Sequence, residues 1–239
     1  MGANSKISWL GKGGATWNPF VGCGGCGVNC YAARMTHRFH KNWKITKTID
    51  GRACYNGKLH FNESAIGQLV KWKRPRSVFV ESMGDLFFLC DIIKMAEIWK
   101  QMLDAPQHTY LLLTKIPRKM FRFLETVIKF PPHLWLGVTA ENQYTWNERV
   151  SVLLDRESKP KFVSVEPMLG KIDISKIFIT TGKKPAWIIC GPETGPGARP
   201  FEQKWADDLW RQCTYLDIPF FWKGEKGEMP REFPKTLKI

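Results

Sequence analysis

Short apolar runs, each closed by polar residues or glycine, recur along this chain. They are Ser77–Val80, Thr109–Leu113, Leu134–Val138, Phe162–Val165, Trp187–Cys190 and Ile218–Trp222. Most are continuous rather than alternating, which marks strands buried on both faces, as in a parallel sheet. Their spacing of roughly 25–32 residues is the size of a βα unit. Between them lie helical patterns. Cys90 to Leu103 places Ile92, Ile93, Ala96, Ile98, Trp99 and Leu103 near one stripe, and Pro117 to Val127 and Glu202 to Tyr215 behave alike. Pro106, Pro131, Pro132 and Pro185 fall in the connections. A first strand is expected over Ala15–Val21. The pattern predicts an α/β fold, a partial (β/α) barrel with about six or seven parallel strands. A doubly wound open sheet would leave a similar string. Residues 41–76 break the rhythm and read as an insertion over the barrel mouth of a single domain spanning 1–239.

The residues that close the runs carry the functional signal, because ligands of such sheets gather at the carboxyl ends of strands. Those ends read Glu81-Ser82-Met83-Gly84-Asp85, Thr114-Lys115, Thr139-Ala140-Glu141-Asn142, Glu166-Pro167 and Gly191-Pro192-Glu193-Thr194-Gly195. Each end holds a group able to bind or donate, so one shared ligand site is expected there.

Seven cysteines, odd in number and unevenly spread, argue against a disulfide framework. Cys23, Cys26 and Cys30 cluster between glycines, which permit the tight turns that bring sulfurs together. Three thiolates can wrap one soft centre: a four-iron cluster that keeps one iron free, or a zinc ion completed by His37 or His40. Cys54, Cys90 and Cys213 read as structural or incidental.

Charge adds a partner. Lys and Arg number 36 against 22 Asp and Glu, a formal +14, which suggests a polyanion such as nucleic acid. The insertion is basic, from Lys41 to Arg76, and offers Trp43, Tyr55 and Trp72 for stacking on bases. No apolar run has membrane-spanning length, the N-terminus lacks a signal-peptide core, and Lys6 stands where a myristoylation pattern wants Ser or Thr. A cytoplasmic protein with no membrane partner is therefore expected.

Three cysteines in a loop after the first strand of a partial βα barrel resemble the radical S-adenosylmethionine (SAM) superfamily. The likeness narrows through Ala15-Thr-Trp-Asn-Pro-Phe-Val-Gly-Cys23 and Cys30-Tyr-Ala. It continues through Phe79-Val-Glu-Ser-Met-Gly-Asp-Leu-Phe87, Leu112-Leu-Thr-Lys-Ile-Pro117 and Leu134-Trp-Leu-Gly-Val-Thr-Ala-Glu-Asn-Gln143. Phe162-Val-Ser-Val-Glu-Pro-Met-Leu-Gly170, Cys190-Gly-Pro-Glu-Thr-Gly-Pro-Gly-Ala-Arg-Pro200 and Ile218-Pro-Phe-Phe-Trp-Lys223 complete it. These blocks resemble a phage- and bacterium-borne three-cysteine family related to spore photoproduct lyase. One departure stands out: the spacing here is C-x2-C-x3-C, not the superfamily's usual C-x3-C-x2-C.

The resemblance implies that Cys23, Cys26 and Cys30 hold a [4Fe-4S] cluster and that SAM is the cofactor, cleaved with one electron from an external reductant. It implies that Lys115 pairs with the SAM carboxylate, that Ser82 and Asp85 receive its amino group or ribose, and that Thr139 contacts it. Glu166 and Glu193 are further candidates, although Glu193 has the alternative of bracing Arg199. Asn29 stands where an adenine-side aromatic is usual, leaving Tyr31 as the nearest aromatic. Cys190 reads either as a hydrogen donor to a product radical or as core filler. The leading expectation is rearrangement or modification of a thymine-derived base in DNA (in the host cell, if phage-encoded), the base leaving the duplex to reach the barrel. A photoproduct-type repair lyase and a non-catalytic, zinc-stabilised nucleic-acid-binding module are the alternatives.

Overall fold

The computed structural model describes residues 5–25, 29–156, 159–225 and 229–237. Its centre is one curled, half-barrel sheet of seven parallel strands: β1 (Ala15–Trp17), β2 (Ser77–Val80), β3 (Thr109–Thr114), β4 (Leu134–Thr139), β5 (Lys161–Val165), β6 (Trp187–Cys190) and β7 (Phe220–Trp222). Each strand pairs with its successor in the chain, so the sheet grows by one βα step at a time. The continuous apolar runs are explained by burial on both faces: all six residues of β4 and all four of β6 are buried.

The two faces do different work. Val78, Tyr110, Leu112, Leu136, Val138, Val163 and Ile188 join the larger core against the helices. The alternate residues Leu111, Trp135, Phe162, Trp187 and Phe221, near the amino ends of their strands, pack on the concave face with Trp9, Leu10 and Leu237. Trp187 sits at the middle of this plug, its ring 5.7–6.4 Å from those of Trp9, Trp135, Phe162, Phe221 and Phe233. Gly137 makes room for it, since a Cβ there would stand 2.4 Å from the Phe162 ring. Following the same parity toward the carboxyl ends, the concave face turns polar: Phe79 leads to Glu81, Leu113 to Lys115, Gly137 to Thr139, Ser164 to Glu166, and Phe221 to Lys223. An aromatic floor with a polar rim is thus written into a two-residue period.

Two expectations need correction. The run Ala15–Val21 is not one strand. Only Ala15–Trp17 joins the sheet; Phe20–Val21 pairs antiparallel with His60–Phe61. Pro19 has no N–H for a ladder, and the buried Asn18 uses its Oδ1 to accept from Ser82 Oγ and Met83 N–H, both at 3.2 Å. In the helix α2 (Ile92–Leu103), Ile98 and Trp99 are buried as expected, but Ile92 and Ile93 are 61% and 77% exposed, and Met95 and Met102 complete the buried face in their place. Asp91 caps this helix by accepting from Ile93 N–H and Lys94 N–H, which sets the phase.

The stretch 41–76 contains a hairpin, Thr46–Ile49 with Arg52–Tyr55, turned on Asp50 and Gly51 at φ 47° and 72°. Asp-Gly between two short strands is the sequence signal for such a turn. The hairpin lies against helix α1 (Tyr31–Phe39), where Ala33, Ile45 and Tyr55 share a small core with Val21 and Cys23. No helix among the described residues is long and apolar enough to cross a membrane.

Candidate functional site

A cavity of about 770 Å³ opens at the carboxyl ends of the strands. Tyr31, Ser82, Asp85, Lys115, Thr139 and Glu166, six residues singled out from sequence, all line it, and so do Cys23 and Cys30. The strand ends and the cysteine loop therefore meet around one space.

The cysteine loop is held by a close backbone approach. Gly22 bridges to Gly84, and a Cβ on Gly84 would stand 2.6 Å from the Gly22 carbonyl oxygen. Cys23 follows, buried. Cys30 caps α1, its Sγ accepting from Ala33 N–H at 3.4 Å, so the electropositive end of the helix faces the sulfur. Tyr55 lies behind both. Burial, with Cys30, Cys23 and Glu81 nearby, pushes its phenol well above the usual range. Cys26 lies outside the described residues. Among the described residues no group of three His, Cys, Asp or Glu is placed to hold a metal ion. His37 is hydrogen-bonded to Thr46 Oγ1 at 3.0 Å, and His40 stacks on Trp43 at 3.9 Å.

Asp85 ties two strand ends together. Its carboxylate accepts from Thr114 Oγ1 at 2.8–2.9 Å, from Lys115 N–H at 2.9 Å and from Phe87 N–H at 3.1 Å. It thereby fixes the backbone that carries Lys115. The Lys115 ammonium is paired with Glu141 Oε1 at 2.5 Å, and Arg149 donates to the other Glu141 oxygen at 2.9 Å and to the Thr139 carbonyl at 2.9 Å. Arg149 reaches back from a π-helical turn, Trp146–Val150, a device that re-aims a side chain at a site. Glu166 accepts from Lys223 Nζ at 2.7 Å and from Ser164 Oγ at 3.2 Å. Glu193 holds Arg199 through three donors at 2.6–3.0 Å, which lowers its carboxyl to about 2.

Cys190 does not reach the cavity. Its thiol is fully buried, 3.6 Å from Met168 Sδ, and burial, with Glu166 next in weight, pushes it well above the usual thiol range. These are the surroundings of a core residue. The aromatics expected to stack on bases are also engaged. Tyr55 is buried, donating to the Met83 carbonyl at 2.8 Å. Trp72 packs edge-on to His108, and Trp43 is sandwiched between His40 and His60, each ring 3.9 Å away.

Sequence reasoning passed over three residues. Glu141 stood in a quoted strand end, and only its two cationic partners reveal its weight. Arg149 had no signal, because a π turn aims it. Glu81 ended a strand, but its condition is tertiary: it is 1% exposed, with φ +62°. Glu81 Oε1 accepts from Phe20 N–H at 3.1 Å, while Oε2 lies buried with no partner. Burial first, then Asp85, raises its pKa well above the usual carboxylate value. A pKa raised in the folded state contributes stability below the unfolded value that is lost as pH rises through the folded one. Glu81→Gln should therefore match the parent near pH 4 and be more stable at pH 8, flattening the profile. Melting temperatures across that range check this; parallel profiles for the two proteins would refute it.

A family model described as "Protein of unknown function (DUF5131)" matches residues 4–236. No curated protein and no solved structure matches the chain.

Proposed function

We propose that this chain, which belongs to the DUF5131 family, is a radical SAM enzyme that rearranges or modifies a thymine-derived base in DNA. The observation that supports this reading most directly is that Cys23 and Cys30 open into the same cavity as Lys115, Thr139 and Glu166, at the carboxyl ends of a parallel half-barrel. Soft sulfur donors and a ring of polar strand ends are the donor set that a cluster with SAM requires. Cys23, Cys26 and Cys30 would hold the [4Fe-4S] cluster, and Ser82, Lys115, Thr139 and Glu166 would hold SAM. When bound and reduced by an external one-electron donor, the pair supplies a 5′-deoxyadenosyl radical that abstracts hydrogen from the substrate.

The protein's share is positioning and charge. Lys115 can release Glu141 to a ligand carboxylate without stranding it, because Arg149 stays on the other Glu141 oxygen. Asp85 holds the Lys115 backbone during that exchange. The aromatic plug closes the floor and keeps water from the reacting atoms. Tyr31, 59% exposed on the rim, offers a ring for adenine or for the substrate base.

Lys115→Ala should weaken SAM binding about 10- to 100-fold, the range of a hydrogen bond to a charged group, with iron content unchanged. Equilibrium dialysis of the reconstituted protein measures both. The reading as a whole is tested by anaerobic reconstitution, iron and sulfide quantitation, and incubation with SAM, reductant and hypermodified phage DNA. Formation of 5′-deoxyadenosine with an altered nucleoside supports it. A colourless, zinc-bound protein that cleaves no SAM overturns it in favour of a binding module. Repair of irradiated DNA in place of base rearrangement points to the lyase.

A further inference from the structure

The cavity that holds the strand ends does not account for the basic character of the chain: among the described residues its wall carries five acidic and five basic side chains. A second cavity, about 490 Å³, adjoins it through Asn29 and Cys30, and there the balance is different. Arg34 and Arg38 from α1 and Arg52 from the hairpin line it, against one carboxylate, Asp50. Among the described residues none of the three arginines is ion-paired.

Three segments distant in sequence build this pocket. Arg34 is half-buried, and its guanidinium donates to neutral acceptors, Asn29 Oδ1 at 3.2 Å and the Thr194 carbonyl at 3.4 Å. A guanidinium carries several further N–H donors. The opposite wall is the turn Gly195–Gly197, whose two glycines have φ of 92° and 71°. A Cβ on Gly195 would stand 2.7 Å from Arg34 Nη2, and one on Gly197 would stand 3.3 Å from Arg52 Nη2. Both guanidinium groups thus lie against one turn, Gly195-Pro196-Gly197, at the two positions that carry no side chain. Along α1, Tyr31, Arg34 and Arg38 fall on one stripe, so an aromatic ring on the first cavity leads directly to two cations on the second.

We propose that this pocket is a phosphate subsite, engaging the phosphodiester next to the nucleotide whose base enters the strand-end cavity. Planar, undeprotonated guanidinium forks match phosphate oxygens. A ligand that spans both cavities needs an anionic group joined to a largely neutral body, which describes a nucleotide. The assignment to a DNA backbone rests on the reading proposed above; the phosphate chemistry rests on the pocket.

The test is binding of a short fluorescein-labelled oligothymidylate to the reconstituted full chain, followed by anisotropy at several salt concentrations. Arg38→Gln/Arg52→Gln changes two exposed side chains; Lys129→Gln/Lys176→Gln removes the same charge elsewhere. The arginine double variant should bind at least about 10-fold more weakly, with a salt dependence flatter by about 0.7 in log–log slope, the value for one lost single-strand phosphate contact. The lysine control should stay within about 2-fold of the parent, as expected for surface charges outside the contact. Equal weakening of both variants would show a diffuse charge effect and overturn the subsite. An abasic oligonucleotide, which keeps phosphodiesters and lacks bases, should compete in an arginine-dependent way. Competition by thymidine 5′-monophosphate but not by the abasic strand would overturn the backbone assignment in favour of a free nucleotide's terminal phosphate. Because the readout is binding, it decides the subsite whether or not the chain cleaves SAM.

Discussion

Cys30→Ala and Cys23→Ala are each expected to reduce iron incorporation to background and to abolish 5′-deoxyadenosine formation. Both thiols line one cavity, and under the reading proposed above they are two of the three cluster ligands; among the described residues no group of three His, Cys, Asp or Glu is placed to hold a metal ion in their stead. The fold should survive. Cys30 also caps α1 through Ala33 N–H, and loss of a cap costs about 0.5–2 kcal/mol. Cys30→Ser keeps a capping oxygen while removing the soft ligand, so it separates the two roles. Cys90→Ala, at an exposed position outside the cavity, should keep full iron content. Iron and sulfide quantitation with an ultraviolet–visible spectrum decides this. Full iron in a folded Cys30→Ala protein would refute the assignment of this ligand.

Trp187→Ala should be the most damaging single change to the fold, at about 3–5 kcal/mol. Trp187 is fully buried, five aromatic rings surround it, and its Nε1 donates to the Glu232 carbonyl at 3.0 Å. Truncation would leave a cavity among rigid rings and orphan that carbonyl. Against a typical stability of about 5–15 kcal/mol, this removes a large share and loosens the floor under the strand ends. Urea unfolding measures it. Tyr215→Ala, at a side chain 88% exposed, is the comparison and should fall within about 0.5 kcal/mol. Similar midpoints for the two variants would mean that the concave aromatic cluster contributes little.

Much of this molecule was legible along the chain. The six later strands lie where the apolar runs put them, and their polar ends line one cavity. Burial and side-chain direction in a strand are local matters: a continuous apolar run needs cover on both faces, and a two-residue period assigns each side chain to a face. What tertiary structure alone decided is who meets whom. Lys115, expected to await a ligand, already holds Glu141, which Arg149 shares from a π turn that no pattern announced. Glu81 is buried with one carboxylate oxygen on Phe20 N–H and the other, beside Gly84, without a partner. Tyr55, expected to stack on a base, is buried by neighbours remote in sequence, and of the two readings of Cys190, hydrogen donor or core filler, its burial fits the second. Arg34, Arg52 and the Gly195–Gly197 turn become one pocket only when the ends of the sheet come round together. Propensity and period act over a few residues, whereas charge pairing and desolvation act through space, and only the closed fold sets those distances.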